Sequence, residues 1–355
     1  MMEISAIGLD IAKRVFQVHG ADAAGRPVLR KKLKRSQVVA FFAALRPCAV
    51  GLEACATAHH WAREIGALGH DVRLIPPQYV KPYVKTNKND VTDAEAICEA
   101  LLRPTMRFAK AKNAEQQSVL MLHRARELLV RQRTMLINAL RGHCAEFGIT
   151  APQGISRAGA LISCIDEGDD RLPPLARRAL ASVVAQIKAI QAEIAGLEKE
   201  LLAWHRSSEA SQRLGVIPGV GVITATALVA TVGDASQFRS GRQFAAFPGL
   251  VPRQSSSGGR DRLGRISKRG DGYLRRLLVH GSRPSCAGPG RARSGVRPGW
   301  KDCSTAGRPM SCWWPWRTRW PALSGRCSAD RKPTSHIVSL RPDPARPGRQ
   351  RNCGG

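Results

Sequence analysis

The sequence predicts an α/β domain on a mixed sheet, then a helical middle segment, then a small, mainly α third domain. Three observations carry this. Short β-branched runs alternate with helical spacing to about residue 112, a long apolar stripe follows, and the texture turns to Gly/Pro turns and short helices from Leu214. A chain of 355 residues has room for two or three domains, and a 43% apolar fraction excludes wholesale disorder.

In the first segment, 1–113, residues 4–9 and 15–19 are β-branched runs, 28–33 alternates apolar with basic, and 49–52 and 72–75 read as short buried strands. Residues 36–45 and 58–68 carry helical spacing, the first opened by Ser36 in the manner of an N-cap. Strands first, then alternating helices and strands, suggest a mixed sheet. The middle segment, 114–206, reads as helical. Val183, Ile187, Ile190, Ile194, Leu197 and Leu201 follow the a/d spacing of a coiled coil, and 116–147 has a looser stripe through Leu122, Leu129, Leu136, Leu140 and Phe147. A Gly/Pro-containing link, 148–174, separates the two, which fits an antiparallel hairpin or a dimerising pair. In the third segment, 207–281, Ile217–Gly221 leads into an apolar helix, 222–232, ended by Gly233. A short helix at 240–247, a Ser/Gly/Arg loop at 254–264 and a last helix at 273–280 follow.

Charge narrows the function class. Lys and Arg number 56 against 27 Asp and Glu, a net +29, and a surplus of that size favours a polyanion, with nucleic acid foremost. Continuous apolar runs such as 220–232 fall short of the roughly 20 residues a membrane span needs. The opening residues carry no basic-then-apolar leader pattern, so the chain is read as cytoplasmic, without a membrane partner and with its ten cysteines reduced. No CxxC pair occurs, which argues against structural zinc.

Four acids stand where a metal site could be built. Asp10 and Glu53 each follow an apolar strand, and Asp90 and Asp93 are three apart on a helix, on one face. Carboxylate oxygens suit Mg²⁺ or Mn²⁺. Each acid also has an ordinary structural explanation: Asp90 as a helix cap, Asp93 as a dipole-favoured acid of the first turn, Glu53 as a surface acid. A second chemical feature is the loop Arg253-Gln254-Ser255-Ser256-Ser257-Gly258-Gly259-Arg260, which combines hydroxyls, glycines and guanidinium groups, as a phosphodiester-handling loop would, though a plain flexible loop has the same composition. Arg262, Arg265, Lys268, Arg269, Arg275 and Arg276 extend the basic character and suit phosphate contacts, with a solvated basic face as the alternative. His59 and His60 beside Trp61 read as one exposed histidine and a tryptophan in the helix core, with a role supporting Glu53 as the lesser reading.

GLDIAK, VGLEACATAHHWAR, IPPQYVKPYVKTNKNDVTDAEAI, GVIPGVG, FPGLVPRQSSSGG and RLGRISKRGDGYLRRLLVHG together resemble the bacterial insertion-sequence transposases that pair a RuvC-like DEDD domain with a serine-bearing domain, the Piv-like, bridge-RNA-guided recombinases. The resemblance runs from about residue 4 to 281. It implies an RNase-H-like N-terminal domain in which Asp10, Glu53, Asp90 and Asp93 bind a divalent metal, Mg²⁺ or Mn²⁺. It further implies Ser257 as nucleophile, with Ser256 its nearest competitor, and a covalent phosphoserine to a DNA end. The implied partners are DNA (element ends and target), a noncoding guide RNA and further copies of the chain, as a dimer or tetramer. Residues 217–221 resemble the hairpin of a helix-hairpin-helix element. Two other readings stay open on the residues alone: a water-using junction nuclease, and an inactive nucleic-acid-binding relic.

Beyond Gly281 the resemblance stops and the third domain is expected to be truncated. Residues 281–355 hold 13 Arg and 2 Lys against 3 Asp, 10 of the 22 Pro and 5 of the 7 Trp, with no Phe or Tyr. This Arg/Pro/Trp-rich tail, 282–355, is expected to be disordered and to result from a frameshift; a single-strand-binding tail that stacks bases on Trp is the competing view.

Overall fold

A computed structural model describes residues 3–85 and 89–285 of the chain. The tail and the readings attached to it lie outside the described residues.

The first domain is built on a five-stranded sheet. Its strands are β1 (Ala6–Ile11), β2 (Val15–Ala21), β3 (Pro27–Lys34), β4 (Ala49–Glu53) and β5 (Asp71–Ile75), in the spatial order β3-β2-β1-β4-β5. The first three pair antiparallel, and β4 and β5 add on parallel to β1. Parallel pairing requires a crossover on a face of the sheet, and helices supply it. Short α1 (Val38–Ala43) and α2 (Ala58–Ala67) cover one face, where Ile7, Leu9, Phe16, Val18, Leu52, Phe42, Trp61 and Ile65 form the core. One turn, α3 (Pro77–Val80), leads to the opposite face, which carries α4 (Asp90–Leu101). Gly8 makes that packing possible: a Cβ there would stand 2.2 Å from the Ala94 carbonyl oxygen, so α4 lies directly on β1. The predicted strands are all present. Ser36, however, caps nothing: it lies inside a 3₁₀ turn, where the Gln37 side chain accepts from the Lys34 N–H.

Two long helices follow, α5 (Ala114–Ala145) and, after α6 (Gly159–Glu167), α7 (Pro174–Ser207). The link at 148–174 therefore contains a helix that its glycines and prolines did not suggest. Ile137, Leu140 and Cys144 near the end of α5 pack with Leu180, Val184 and Ile187 near the start of α7, whereas Val119 and Leu201 share a cluster at the other end. The pair is thus an antiparallel hairpin, and much of the predicted stripe on α7 is covered within the chain. Over an 18-residue window α7 is long and apolar enough to cross a membrane by those measures alone, although its apolar residues do not form one continuous run. Here its apolar stripe packs on α5.

The C-terminal domain comprises α8 (Glu209–Gly215), α9 (Val222–Val232), α10 (Gly241–Ala246), a hairpin of β6 (Pro252–Gln254) and β7 (Leu263–Ile266), and α11 (Gly272–Ser285). Alanines 225, 227 and 230 let α9 sit in the middle of this unit and against both long helices, with Leu228, Leu274 and Leu278 buried around it. At this junction the buried His123 of α5 bridges Tyr273 of α11 (3.0 Å) and Thr226 of α9 (3.1 Å). The Thr226 hydroxyl already donates to the Val222 carbonyl (2.8 Å), so His123 Nε2–H donates to Thr226 and Nδ1 accepts from the Tyr273 hydroxyl. Burial, then Arg126 and Arg124, push His123 down to about 4, so it stays neutral. Lys110–Asp234 (2.6 Å) and Arg276–Glu127 add ion pairs across the same boundary.

Candidate active site

The sheet register brings the carboxylates together. Leu9 of β1 lies beside Leu52 of β4, so the next residues along these parallel strands, Asp10 and Glu53, stand side by side where the β1–β4 pairing ends. Asp10 shares a face with Gly8, the face α4 covers, so the first turn of α4 delivers Asp90 and Asp93 to the same end of the sheet. Asn89, not Asp90, caps α4: its side chain accepts from the Thr92 N–H (2.9 Å). The capping explanation for Asp90 is thereby removed, and its carboxylate is exposed at the first position of the helix.

The electrostatics of Asp10 registers the other three acids. Burial first, then the Asp93, Asp90 and Glu53 carboxylates, push Asp10 up from 3.8 to about 6, and only the Ile11 N–H works the other way. Cys55, just past Glu53, has its thiol pushed up by burial and by Glu53 and Asp10. The acids form a neighbourhood rather than a closed cage: among the described residues no three His, Cys, Asp or Glu side chains are arranged to hold a metal ion. The donor set still fits a hard divalent cation, being all oxygen and carrying the mutual repulsion that a bound cation relieves.

His59 is half-buried and accepts from the Lys112 N–H (3.1 Å); burial, then Lys112 and Arg63, push it down to about 4. Trp61 is helix core and His60 is exposed beside Glu64, as the sequence suggested. His59 thus fastens the exit of the domain, and burial likewise lowers Lys112, with Asp271 of the C-terminal domain opposing.

The serine loop is the tip of the β6–β7 hairpin. Ser257 and Arg260 close a turn through the Arg260 N–H and the Ser257 carbonyl (3.1 Å), with Gly258 and Gly259 both at positive φ, a shape that two glycines allow. The two serines differ sharply. Ser256 donates to the Asp261 carboxylate (2.8 Å) and accepts from Gln254 Nε2 (3.0 Å) and the Arg262 N–H (3.3 Å). Ser257 is exposed at the turn. Asp261, which the sequence reading passed over, is therefore a functional candidate. The acids and the serines belong to different domains.

The basic candidates divide. Arg253, Arg260, Arg262, Arg265, Lys268 and Arg269 are exposed on or beside the hairpin. Arg275 instead donates to the Pro248 carbonyl (2.7 Å), tying α11 to its own domain, and Arg276 lies over the Tyr273 ring and pairs with Glu127, tying α11 to α5.

Comparison with known proteins matches this layout. Residues 7–148 match the transposase family model that carries the DEDD domain of the IS110 type, and residues 211–293 match the model described as Transposase IS116/IS110/IS902 family. The second match runs beyond Gly281, where the resemblance was expected to stop. The chain is 51% identical over 298 residues to a probable family 20 transposase of Pseudomonas aeruginosa, spanning 82% of this chain and 88% of that protein. It is 48% identical to a putative transposase of Sinorhizobium fredii (79% and 72%) and 44% identical to the transposase for insertion sequence element IS1328 of Yersinia enterocolitica (80% and 84%).

Proposed function

Since this chain belongs to the IS110/IS116/IS902 family of insertion-sequence transposases, we propose that it cleaves and rejoins DNA with a serine hydroxyl as nucleophile and with Asp10, Glu53, Asp90 and Asp93 as ligands of a divalent cation. The observation that carries the reading is the register that sets Asp10 beside Glu53 on the sheet, at the end that the first turn of α4 reaches with Asp90 and Asp93. When bound, the cation neutralises charge on the reacting phosphodiester. The Ser257 oxygen attacks phosphorus, one P–O ester bond breaks, and the released DNA hydroxyl takes up the proton that leaves the serine. A phosphoserine ester conserves the bond energy, so attack by a second DNA hydroxyl rejoins strands without another cofactor. Exposed Arg253, Arg260, Arg262, Arg265, Lys268 and Arg269 hold the phosphate backbone, as the net +29 charge favours.

Serine and carboxylates sit on different domains, and the family resemblance implies a composite centre in which the acids of one copy serve the serine of another. A noncoding guide RNA selects the target; support for this is the family resemblance of the motifs. The Ser256–Asp261 hydrogen bond favours a second reading, in which Ser256 is the nucleophile and Asp261 takes its proton. The test is strand cleavage on element-end DNA with Mg²⁺, comparing Asp10→Ala, Ser257→Ala and Ser256→Ala. Loss of a covalent protein–DNA adduct in the first two and its persistence in Ser256→Ala supports the proposal. Loss in Asp10→Ala and Ser256→Ala with persistence in Ser257→Ala moves the role to Ser256, and cleavage without any adduct replaces the recombinase with a water-using nuclease.

A further inference from the structure

The carboxylate end of the sheet opens into a groove of about 680 Å³ lined by Gln17, Arg30, Lys32, Asn89, Asp90 and Glu95, among others. Register explains its composition. Asp10 of β1 stands opposite Gln17 of β2, and Gln17 stands opposite Lys32 of β3, so one row of side chains crosses the sheet from the acids to a basic edge. Arg30 and Lys34 flank Lys32 on the same face, because alternate strand residues share a face.

The cations of β3 and its exit differ by face. Lys31 lies over the Phe41 ring at 5.3 Å, and Arg35 lies over Trp61 at 5.0 Å, so those charges are stacked on aromatic rings. On the groove face, Arg30 approaches Glu95 at only 4.0 Å, and Glu95 is already held by Lys85 at 2.5 Å. Lys32 makes no ion pair among the described residues. The groove therefore runs from basic at β3 to acidic at Asp90. A nucleic-acid strand laid along it has its phosphates neutralised at one end and meets the carboxylates at the other.

We propose that the groove between β3 and the first turn of α4 binds a single strand of DNA through Arg30 and Lys32 and leads it to the carboxylates. This rests on the reading of the four acids as the strand-cutting site. A DNA strand is preferred over a guide RNA because the groove ends on Asp90, where the bound strand is the one to be cut. The test is binding of labelled single-stranded DNA, and of RNA of the same sequence, to the full chain in EDTA across a salt series, for wild type, Arg30→Gln/Lys32→Gln and Lys31→Gln. Each phosphate contact on a single strand contributes about 0.7 to the slope of log affinity against log salt, so the double variant should lose about 1.4 while Lys31→Gln keeps the wild-type slope. An unchanged slope in a double variant with wild-type circular dichroism overturns the groove. A loss confined to RNA of the same sequence assigns it to the guide and overturns the DNA proposal. Binding in EDTA needs neither cation nor serine, so failure here leaves the cleavage reading standing, and failure of cleavage leaves this measurement standing.

Discussion

Replacing Asp10 by Asn removes one charge from four crowded carboxylates, and the structure says how that should register. In the folded chain the Asp10 carboxyl is pushed from 3.8 to about 6, so the folded state holds its proton more tightly than the unfolded chain. For this group, folded stability is fully present below about pH 4 and is lost as pH rises through 6. A gap of about two units is worth about 3 kcal/mol at most, and partial exposure of Asp10 to water reduces that to about 1–2 kcal/mol. The Asn variant does not ionise. In EDTA it should therefore gain on wild type between pH 4 and 6.5 and then hold a constant lead. Hydrogen exchange of the β1 and α4 amides, corrected for intrinsic rates, reads this locally in a chain of several domains. Adding Mg²⁺ should reverse the order, since the cation stabilises the intact carboxylate set and the variant lacks one ligand. A lead that does not depend on pH, or a variant that stays weaker than wild type at pH 7.5 without metal, would refute the crowding argument.

Three further outcomes follow from the packing. Gly8→Ala places a methyl against the Ala94 carbonyl; it should cost about 1–3 kcal/mol, measured by denaturant unfolding, and weaken Mg²⁺ binding by displacing α4. His123→Leu removes the ring that links the Tyr273 and Thr226 hydroxyls at the α5–α9–α11 junction and should cost about 1–3 kcal/mol, with faster amide exchange in α11. Met121, Leu128 and Met135 are 71%, 48% and 70% exposed at seven-residue spacing on α5, a stripe suited to a second copy, so Met121→Lys with Met135→Lys should lower the mass measured by light scattering; an unchanged mass removes this stripe from the assembly.

How much of this was legible in the sequence varies by element, for physical reasons. Strands β1, β2 and β4 declare themselves as short buried apolar runs and β3 as an alternation of apolar and basic residues, and Asp10 and Glu53 could be placed at strand ends from that alone. Helix α6 was hidden because its cap is Ala158, which offers no side-chain oxygen, and because Gly159 and Gly168 bound it. The β6–β7 hairpin reads as loop in the sequence since its strands are short and polar; the Gly258-Gly259 pair is the available signal for its turn. Asn89 and Thr92 together marked the α4 cap one residue earlier than Asp90. Asp261 and the row from Asp10 to Lys32 depend on cross-strand register, which spacing along one strand does not encode.

The central claim is that a serine of the hairpin becomes bonded to DNA under the control of the four carboxylates. Incubating the full chain with element-end DNA and Mg²⁺, digesting with nuclease and protease, and sequencing the modified peptide by mass spectrometry tests it most directly. A nucleotide on Ser257, absent when Asp10 is replaced by Ala, is the expected result; an unmodified hairpin alongside cut DNA would overturn the proposed chemistry.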